Sequence, residues 1–400
     1  MHLIFLVFVC YLQTLLPVVV ACPTPGNKKI QPGKAVYFIT NEKDNAVVAM
    51  KIAENGMLTN GATASTGGAG SNFIDGDTKQ PAAPDALASQ SAVTIAGNYL
   101  FAVNAGSNSL TMFAINSADP TKLAMVGQPV AVPGEFPNTV AASKKNKLVC
   151  VGSSGAKAGV SCASFSAKGV STMDGLRPVD LKQTTPPAGP TNTISQAFFS
   201  GDESALLLTV KGDPTKMNTG FLGVYQVEQA NGVASLSQNE IRSSPNGTAV
   251  LFGSSTIPNS KDIFVTDASF GGAVLSMDPK TNQATVKGMA KVDGQKATCW
   301  VAISSATNSA FVTDVGRNIM VEMSLKDASI KGKIDLGANG DPGLIDLKAA
   351  GKFIYALSPG NGTTQAAITV VDAMEKKQVQ HLNVQGLGAG KNSQGMAVLL

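Results

Sequence analysis

Side chains that could act as acids, bases or clamps for anions are scarce in this 400-residue sequence. It has two histidines, of which His381 lies in the polar run KKQVQHLNV, and three arginines at positions 177, 242 and 317. A lone histidine in such a run is more typical of a surface strand than of an active site. The sequence contains no GxSxG, HExxH or phosphate-loop motif and no His/Cys set with metal-ligand spacing. It therefore predicts no metal site and no cofactor.

A repeated hairpin pattern provides the framework that must position any site. Residues 99–115, YLFAVNAGSNSLTMFAI, contain an apolar run, a polar break rich in Asn, Gly and Ser, and a second apolar run. Seven copies of this pattern occur, anchored on Tyr37, Leu100, Leu148, Leu206, Ile263, Phe311 and Ile354. The anchors are 43 to 63 residues apart. This spacing is typical of β-propeller blades, each built from four antiparallel strands.

An additional strand-like run precedes each hairpin from the second onward, and we expect it to be the innermost strand of its blade. Only a polar tail precedes the first hairpin, and the missing strand occurs at the other end as SQGMAVLL, residues 393–400. The sequence therefore predicts an all-β fold over residues 35–400. This fold is a seven-bladed β-propeller of four-stranded antiparallel blades, with the ring closed by pairing of the C-terminal strand with the first blade. The Gly, Ala and Pro-rich segments 60–85 and 184–190 are interpreted as surface loops.

The apolar start of the chain predicts export. Residues 1–21 form an apolar run that ends in the small-residue sequence Val-Val-Ala, as a secretory signal peptide does, and residues 22–34 form a polar tail. Two alternatives remain open: a bacterial lipoprotein signal that places a lipid on Cys22, and a signal anchor, against which Pro17 argues. No second apolar run is long enough to span a membrane. We therefore expect a secreted protein, with possible retention at the cell wall, that does not insert stably into a membrane.

Four cysteines remain after removal of the signal. Cys150 and Cys162 lie symmetrically about the loop of one predicted hairpin, so they face each other at a separation that a disulfide can bridge. Cys22 and Cys299 would then pair by elimination, which would fix the N-terminal tail to the propeller. The alternative is four free buried thiols, although secretion favours oxidation.

The repeats resemble those of a known family. Hairpins such as YLFAVNAGSNSLTMFAI and inner strands such as TISQAFFSGDESAL are similar to those of lactonase-type seven-bladed propellers, which include 6-phosphogluconolactonases and 3-carboxymuconate lactonizing enzymes. The export signal, the cysteines and the small-residue loops are most similar to the secreted fungal branch, which is 3-carboxymuconate cyclase-like and occurs among exported and cell-wall glycoproteins. The resemblance covers residues 35–400. It implies a site at one mouth of the central channel, where His, Glu and Arg close a carboxylate onto a double bond or open a lactone.

The segments that match the family's site have lost its titratable or cationic side chains. A His-rich motif corresponds to residues 135–139, EFPNT, and a Gly-Pro-Arg-His motif corresponds to residues 189–192, GPTN. An Asn-Glu pair corresponds to Lys211-Gly212, and an Asn-Arg pair corresponds to Asp267-Ala268. Because fold alone does not carry activity, these replacements favour a non-catalytic protein descended from such enzymes.

The starts of the innermost strands point into the channel and nominate side chains for ligand binding. These candidates are Gln90, Asn138, Asn192, Gln196, Trp300 and Gln394. Their amides can hydrogen-bond a sugar, a small acid or ordered water, and a water-filled channel without a ligand is the alternative. If the chain is an enzyme, Glu135 and Asp341 are the acid-base candidates, although Asp341 precedes Pro-Gly and could simply begin a turn.

Charge and surface signals limit the expected partners. The net charge is +4, and the lysines are scattered without interleaved aromatic residues, so nucleic-acid binding is not expected. The sequons at Asn246 and Asn361 lie in polar loop-like segments and predict N-glycosylation. The expected partners of this monomer are glycans, cell-wall polymers, extracellular host proteins, or a small carboxylate or lactone. Two hypotheses follow: a binding or cell-surface interaction protein, and an active lactonizing or lactone-hydrolysing enzyme.

Overall fold

The computed structural model describes residues 32–400, and within this range the chain is almost entirely β-strand. The strands that begin the first blade are β1 (Ala35–Ile39), β2 (Ala46–Ile52) and β3 (Leu58–Ser65). The second blade contains β4 (Val93–Ala96), β5 (Tyr99–Asn104), β6 (Ser109–Ile115), β7 (Leu123–Met125) and β8 (Val130–Ala131). The third contains β9 (Pro137–Ser143), β10 (Leu148–Ser153), β11 (Gly159–Ser166), β12 (Gly169–Val170) and β13 (Arg177–Pro178). The fourth contains β14 (Ile194–Phe199), β15 (Ala205–Val210), β16 (Phe221–Ala230) and β17 (Val233–Ser243).

The remaining blades follow the same plan. The fifth contains β18 (Leu251–Thr256), β19 (Ile263–Asp267), β20 (Gly271–Met277) and β21 (Ala284–Lys291). The sixth contains β22 (Thr298–Ser304), β23 (Ser309–Asp314), β24 (Arg317–Ser324) and β25 (Ile330–Asp335). The seventh contains β26 (Leu347–Ala350), β27 (Phe353–Ser358), β28 (Ala367–Asp372) and β29 (Lys377–Asn383), and the chain ends with β30 (Gln394–Leu399). Single turns of 3-10 helix occur at Pro214–Lys216, Gly337–Asn339 and Gln385–Leu387.

The seven sheets confirm the predicted propeller. Each blade is an antiparallel sheet, the second to seventh blades begin with their innermost strand, and β8 and β13 add a short fifth strand to the second and third blades. The first blade has the order β3-β2-β1-β30, so its innermost strand comes from the C-terminal end. Ala35 pairs with Leu399 and Tyr37 pairs with Ala397, which closes the ring as predicted. The export signal of residues 1–21 and most of the polar tail lie outside the described residues.

Burial explains why the second strand of each blade reads as a continuous apolar run. β10, β15, β23 and β27 are buried at every position, because each is covered by the neighbouring blades on both faces. The outer strands alternate instead, as β21 does with a buried or half-buried residue at every second position. Apolar packing between blades therefore forms the core, and the polar faces lie at the periphery. The described residues include no helix of the length and apolarity that a membrane crossing requires.

Two buried tyrosines join neighbouring blades through their hydroxyl groups. Tyr37 on β1 donates to the carbonyl of Pro120 over 2.8 Å, and Tyr355 on β27 donates to the carbonyl of Gly56 over 2.8 Å. Burial raises the pKa of both phenols above the usual range. Each ring therefore packs as an apolar body while its single polar group is satisfied.

The predicted disulfide is present. Cys150 on β10 lies directly opposite Cys162 on β11, and their Cα atoms are 4.0 Å apart. The proposed partner of Cys299, Cys22, lies outside the described residues, so that pairing stays a prediction. Cys299 itself is buried on β22.

Residues 60–65 of the predicted surface loop belong to β3, whereas residues 66–84 are mostly exposed or half-buried, as expected of a surface loop. The chain then enters the ring, where residues 85–90 are buried and Ser91 is half-buried. Residues 85–91 are called the plug below. Small side chains and left-handed backbone at Asp85, Ala88 and Ser91 allow this close approach.

Candidate functional site

The plug is hydrogen-bonded to the inner strands of several blades. The backbone N–H of Gln90 donates to the carbonyl of Ser195 on β14 over 2.8 Å. The backbone N–H of Val140 on β9 donates to the carbonyl of Ser91 over 2.8 Å. These two contacts are with neighbouring blades, and the side chain of Gln90 reaches Val301 on β22 of the sixth blade. The plug therefore lies inside the ring of inner strands.

The channel amides nominated from the sequence hold the plug in place. The side chain of Gln90 donates to the carbonyl of Val301 over 3.0 Å and accepts from the N–H of Val301 over 3.1 Å. Trp300 donates from Nε1 to the carbonyl of Ser89 over 3.0 Å. Gln90 and Trp300 are both buried. The polar groups of both side chains are therefore engaged within the protein.

Other nominated side chains are engaged in the same way. Asn138 donates to the carbonyl of Ile194 over 2.7 Å, and Gln196 accepts from the N–H of Ser254 over 2.5 Å. Asn192 differs, because it is only half-buried on the rim and accepts from Asn218 over 2.6 Å. Whether these amides contact a ligand stays a prediction.

A cavity of about 440 Å³ opens above the plug at one mouth of the channel. Its walls come from the connections that lead into the inner strands and from the hairpin turns of the fourth, fifth and sixth blades. They consist of Phe73, Pro84, Asp85, Pro190, Thr191, Lys211, Pro214, Val250, Phe252, Ala268, Ser269, Lys296, Ala297, Cys299 and Val315. Positions that match the family's site, Pro190, Thr191, Lys211 and Ala268, therefore converge on one cavity. A second cavity of about 400 Å³ adjoins it and shares Thr191 and Lys211.

Lys211 forms the polar part of the cavity floor. It follows β15 and is 2% exposed. Among the described residues it is the only lysine that is almost fully buried. Its Nζ donates to the carbonyl of Ala88 in the plug and lies 4.5 Å from the centre of the Phe252 ring. Desolvation by burial lowers the pKa of Lys211 to about 8, and the charge of Asp85 partly opposes this shift.

Asp85 supplies the opposite charge from the plug. Its Oδ1 accepts from the side-chain amide of Gln394 over 3.3 Å. Burial raises the pKa of Asp85 to about 6, against the opposing effect of the Lys211 charge. Burial also raises the pKa of the Cys299 thiol, so this side chain is a neutral part of the wall.

The remaining charge in the cavity wall is cationic. Lys296 is exposed at the rim, where its backbone N–H donates to Asp314 over 2.7 Å. The charged lining thus consists of two lysines and one aspartate, which favours a ligand of negative charge. Within the described residues no His, Cys, Asp and Glu cluster could hold a metal ion.

The two acid-base candidates lie outside this cavity and apart from each other. Glu135 accepts from the Thr185 hydroxyl over 2.6 Å and lies 3.6 Å from Lys157, and the hydrogen bond from Thr185 holds the pKa of Glu135 below its usual range. Asp341 lies 3.0 Å from Nε2 of His381, and burial raises the pKa of Asp341. Their catalytic role stays a prediction. His381 is exposed on the outer strand β29, as its polar sequence indicates, and contacts Asp341 there.

Sequence reasoning missed the central pair of this site. Asp85 was not nominated, because its neighbours have the composition of a surface loop. Lys211 was noted only as a replacement in the fourth blade. The available signal was that Lys211 stands in place of part of the Asn-Glu pair of the family that the sequence resembles. The two sequon residues, Asn246 and Asn361, are exposed.

Comparisons with known proteins agree with this architecture. Residues 27–164 match the family model for lactonase, 7-bladed beta-propeller. None of the curated proteins compared with the chain matches it. The chain is similar in structure to a functionally unknown protein from Desulfotomaculum acetoxidans, with a TM-score of 0.60, 12% identity and coverage of 91% of this chain and 98% of that one.

Two further solved structures are similar. A protein from Lactobacillus plantarum has a TM-score of 0.58 and 14% identity, with coverage of 92% of this chain and 100% of that one. A proposed 6-phosphogluconolactonase from Bacteroides uniformis has a TM-score of 0.53 and 15% identity, with coverage of 70% and 80%. At these identities the likeness shows the fold alone. The chain is therefore a seven-bladed β-propeller that is similar, over residues 27–164, to the lactonase propeller family.

Proposed function

We propose that this protein is a secreted, non-catalytic binding propeller that holds a small carboxylate or lactone in the cavity at the channel mouth. One observation carries the proposal: a buried lysine, Lys211, forms the polar floor of a cavity that is otherwise largely apolar. Ligand sites of small molecules commonly combine an apolar wall with a few converging polar groups.

The unfilled hydrogen-bonding capacity of Lys211 favours an oxygen acceptor. An ammonium group has three N–H donors. Within the described part of the chain, Lys211 Nζ donates to the Ala88 carbonyl and to no other acceptor. A ligand carboxylate or lactone oxygen would fill a remaining donor in a site of low polarity, where such a hydrogen bond is strong.

The wall composition favours binding over turnover. Among the residues that the structure describes, neither a histidine nor an arginine lines the cavity. In the family that the sequence resembles, acid-base catalysis and the binding of substrate carboxylates depend on histidine and arginine. The cavity can therefore hold a ligand, but among the described residues it lacks the histidine and arginine side chains expected to convert that ligand.

Export and glycosylation complete the proposal. The apolar start of the sequence and the exposed sequon residues Asn246 and Asn361 support a secreted glycoprotein. Glycans, cell-wall polymers or host proteins would then be the macromolecular partners, with the small ligand held at the mouth.

Calorimetric titration tests the binding site. The probes are 3-carboxymuconate, benzoate and gluconolactone, and the variants are Lys211→Met and Lys296→Met. We expect at least one probe to bind the wild type, with affinity about tenfold lower in Lys211→Met. Lys168→Met, which changes an exposed lysine outside the cavity, should bind like the wild type. Absence of binding by every probe, or equal affinity in folded Lys211→Met, would contradict the proposal.

A second candidate function has one observation in its favour. Asp85 and Lys211 share the cavity, and their pKa values of about 6 and about 8 lie on either side of neutrality. An acid and a base with such values suit proton transfer near pH 7. A lactonizing enzyme would turn over 3-carboxymuconate and lose its rate in Asp85→Asn, whereas the binding protein would leave the compound unchanged.

A further inference from the structure

Lys211 differs chemically from the other lysines that the structure describes. Its side chain lies against the Phe252 ring and under the plug, while every other described lysine is at least partly exposed. A primary amine in such a place can lose its proton more easily than one in water, since burial disfavours the charged form. A desolvated lysine of this kind is the usual nucleophile toward carbonyl carbon in proteins.

The cavity gives a small carbonyl compound room and a means of orientation. About 440 Å³ lies above Lys211, with Pro84, Pro190 and Pro214 in the wall. Lys296 at the rim supplies a second cation that can hold a carboxylate. A compound with a carbonyl next to a carboxylate could therefore direct its carbonyl to Lys211 and its acid group to the opening.

We infer that Lys211 captures small keto acids or aldehydes reversibly as an imine in the mouth cavity. This inference rests on the proposed function, because it uses the same cavity and names a narrower class of ligand. The amine nitrogen attacks the carbonyl carbon, the carbonyl π electrons move to oxygen, and a proton passes from nitrogen to that oxygen to give a carbinolamine. The hydroxyl then leaves as water with a proton supplied from Asp85 or solvent, and a C=N bond protonated on nitrogen replaces the C=O bond. No oxidant or reductant is required.

The charge state of the amine supports the inference. With the pKa of Lys211 at about 8, about one-tenth of this side chain is the free amine at pH 7, against roughly one in 2,500 for an ordinary lysine. The titratable groups that act on it are Asp85, which favours the ammonium form, and Cys299. A protonated Asp85 would therefore favour the reactive amine.

Reductive trapping tests the inference. The secreted full chain is incubated with pyruvate and sodium cyanoborohydride at pH 7.5, which reduces an imine to a stable secondary amine. Peptide mapping by mass spectrometry then locates the adducts. We expect Lys211 to be modified about tenfold faster than the exposed lysines. We also expect propionate, which has the acid but lacks the keto group, to slow the modification of Lys211 alone.

Control variants separate this inference from the proposed function. Lys211→Arg keeps the positive charge and should abolish the fast adduct, and Lys296→Met should slow it. If Lys211→Arg does not fold, propionate protection in the wild type still decides. Adducts spread over exposed lysines with Lys211 unmodified would overturn the inference. If calorimetry still showed binding of a carboxylate in that case, the proposed function would stand. If neither the modification of Lys211 nor the binding of any probe were observed, both the inference and the proposed function would be rejected.

Discussion

Nε1 of Trp300 donates a hydrogen bond to the carbonyl of Ser89 over 3.0 Å, which joins the inner strand of the sixth blade to the plug. Trp300 is the single tryptophan of the chain and packs edge to face against Phe252, with 5.1 Å between ring centres. Phe252 in turn lines the mouth cavity. The emission of Trp300 therefore reports both on the position of the plug and on what occupies the cavity.

Gln90→Ala should destabilise the propeller through the plug. The change leaves the N–H and carbonyl of Val301 without their side-chain partners in a buried place. We expect the free energy of unfolding to fall by about 3 kcal/mol, measured by urea denaturation with Trp300 emission. Gln80→Ala, at an exposed position of the same connection, should change stability by less than about 0.5 kcal/mol. Equal stability of both variants would show that the plug is not held through Gln90.

Asp85→Asn should change how stability depends on pH. The pKa of Asp85 is raised to about 6 in the folded protein, so the folded state binds this proton more tightly than the unfolded state. The contribution of Asp85 to stability is therefore present below about pH 4 and is lost as the pH rises through about 6. Relative to the wild type, Asp85→Asn should gain about 2 kcal/mol between pH 4 and pH 7.

Urea denaturation of both proteins across this pH range measures the difference. Asp77→Asn, which changes an exposed carboxylate of the same connection, is the matched control. A constant difference from the wild type for Asp85→Asn would mean that its carboxyl is ionised normally in the fold.

Removing the disulfide should weaken the third blade. Cys150 and Cys162 are 12 residues apart, so the bridge closes a short loop of the unfolded chain. The double variant Cys150→Ala/Cys162→Ala should lose about 3 kcal/mol, and reduction of the wild type with dithiothreitol should give a similar loss. Mapping of the unreduced protein should recover the linked peptides. Recovery of both peptides as free thiols would contradict this account.

Gly395→Ala should disturb the strand that closes the ring. Gly395 has a φ of +72°, and an added Cβ would lie 3.1 Å from the Cβ of Ala92. Its neighbour Met396 donates its N–H to Asp346 over 3.0 Å, so a shift of this strand also affects a buried carboxylate. We expect a loss of at least about 1 kcal/mol and a lower melting temperature. Gly386→Ala, where the added Cβ meets no atom within 4 Å, is the matched control.

Local pattern was enough to predict the blades but not their centre. The apolar run around Leu148 and the turn that follows it recur in each blade, because every second strand has the same two-sided burial. The facing positions of Cys150 and Cys162 follow from one hairpin, and the strand at residues 393–400 was found because the first blade lacked one. The hairpin features depend on residues that are close in sequence, and the closing strand could be predicted by counting the strands of each blade.

The plug and the site depend on contacts between distant parts of the chain. The backbone of Gln90 is satisfied by Ser195 on another blade, and nothing in the sequence around Gln90 indicates that partner. The proximity of Asp85 and Lys211 arises only once the plug has entered the channel. For the same reason, the hydrogen bonds of the nominated amides could not be predicted from the sequence.

The most direct test of the central claim combines binding and turnover in one sample. The secreted protein is titrated with 3-carboxymuconate while Trp300 emission reports occupancy of the cavity and the absorbance of the compound reports its conversion. We predict a saturable change in emission with no loss of 3-carboxymuconate, and a change at least about tenfold weaker in Lys211→Met. If 3-carboxymuconate were lost and Asp85→Asn abolished that loss, the protein would be an enzyme instead. If the Trp300 emission did not change, 3-carboxymuconate would not bind in the cavity.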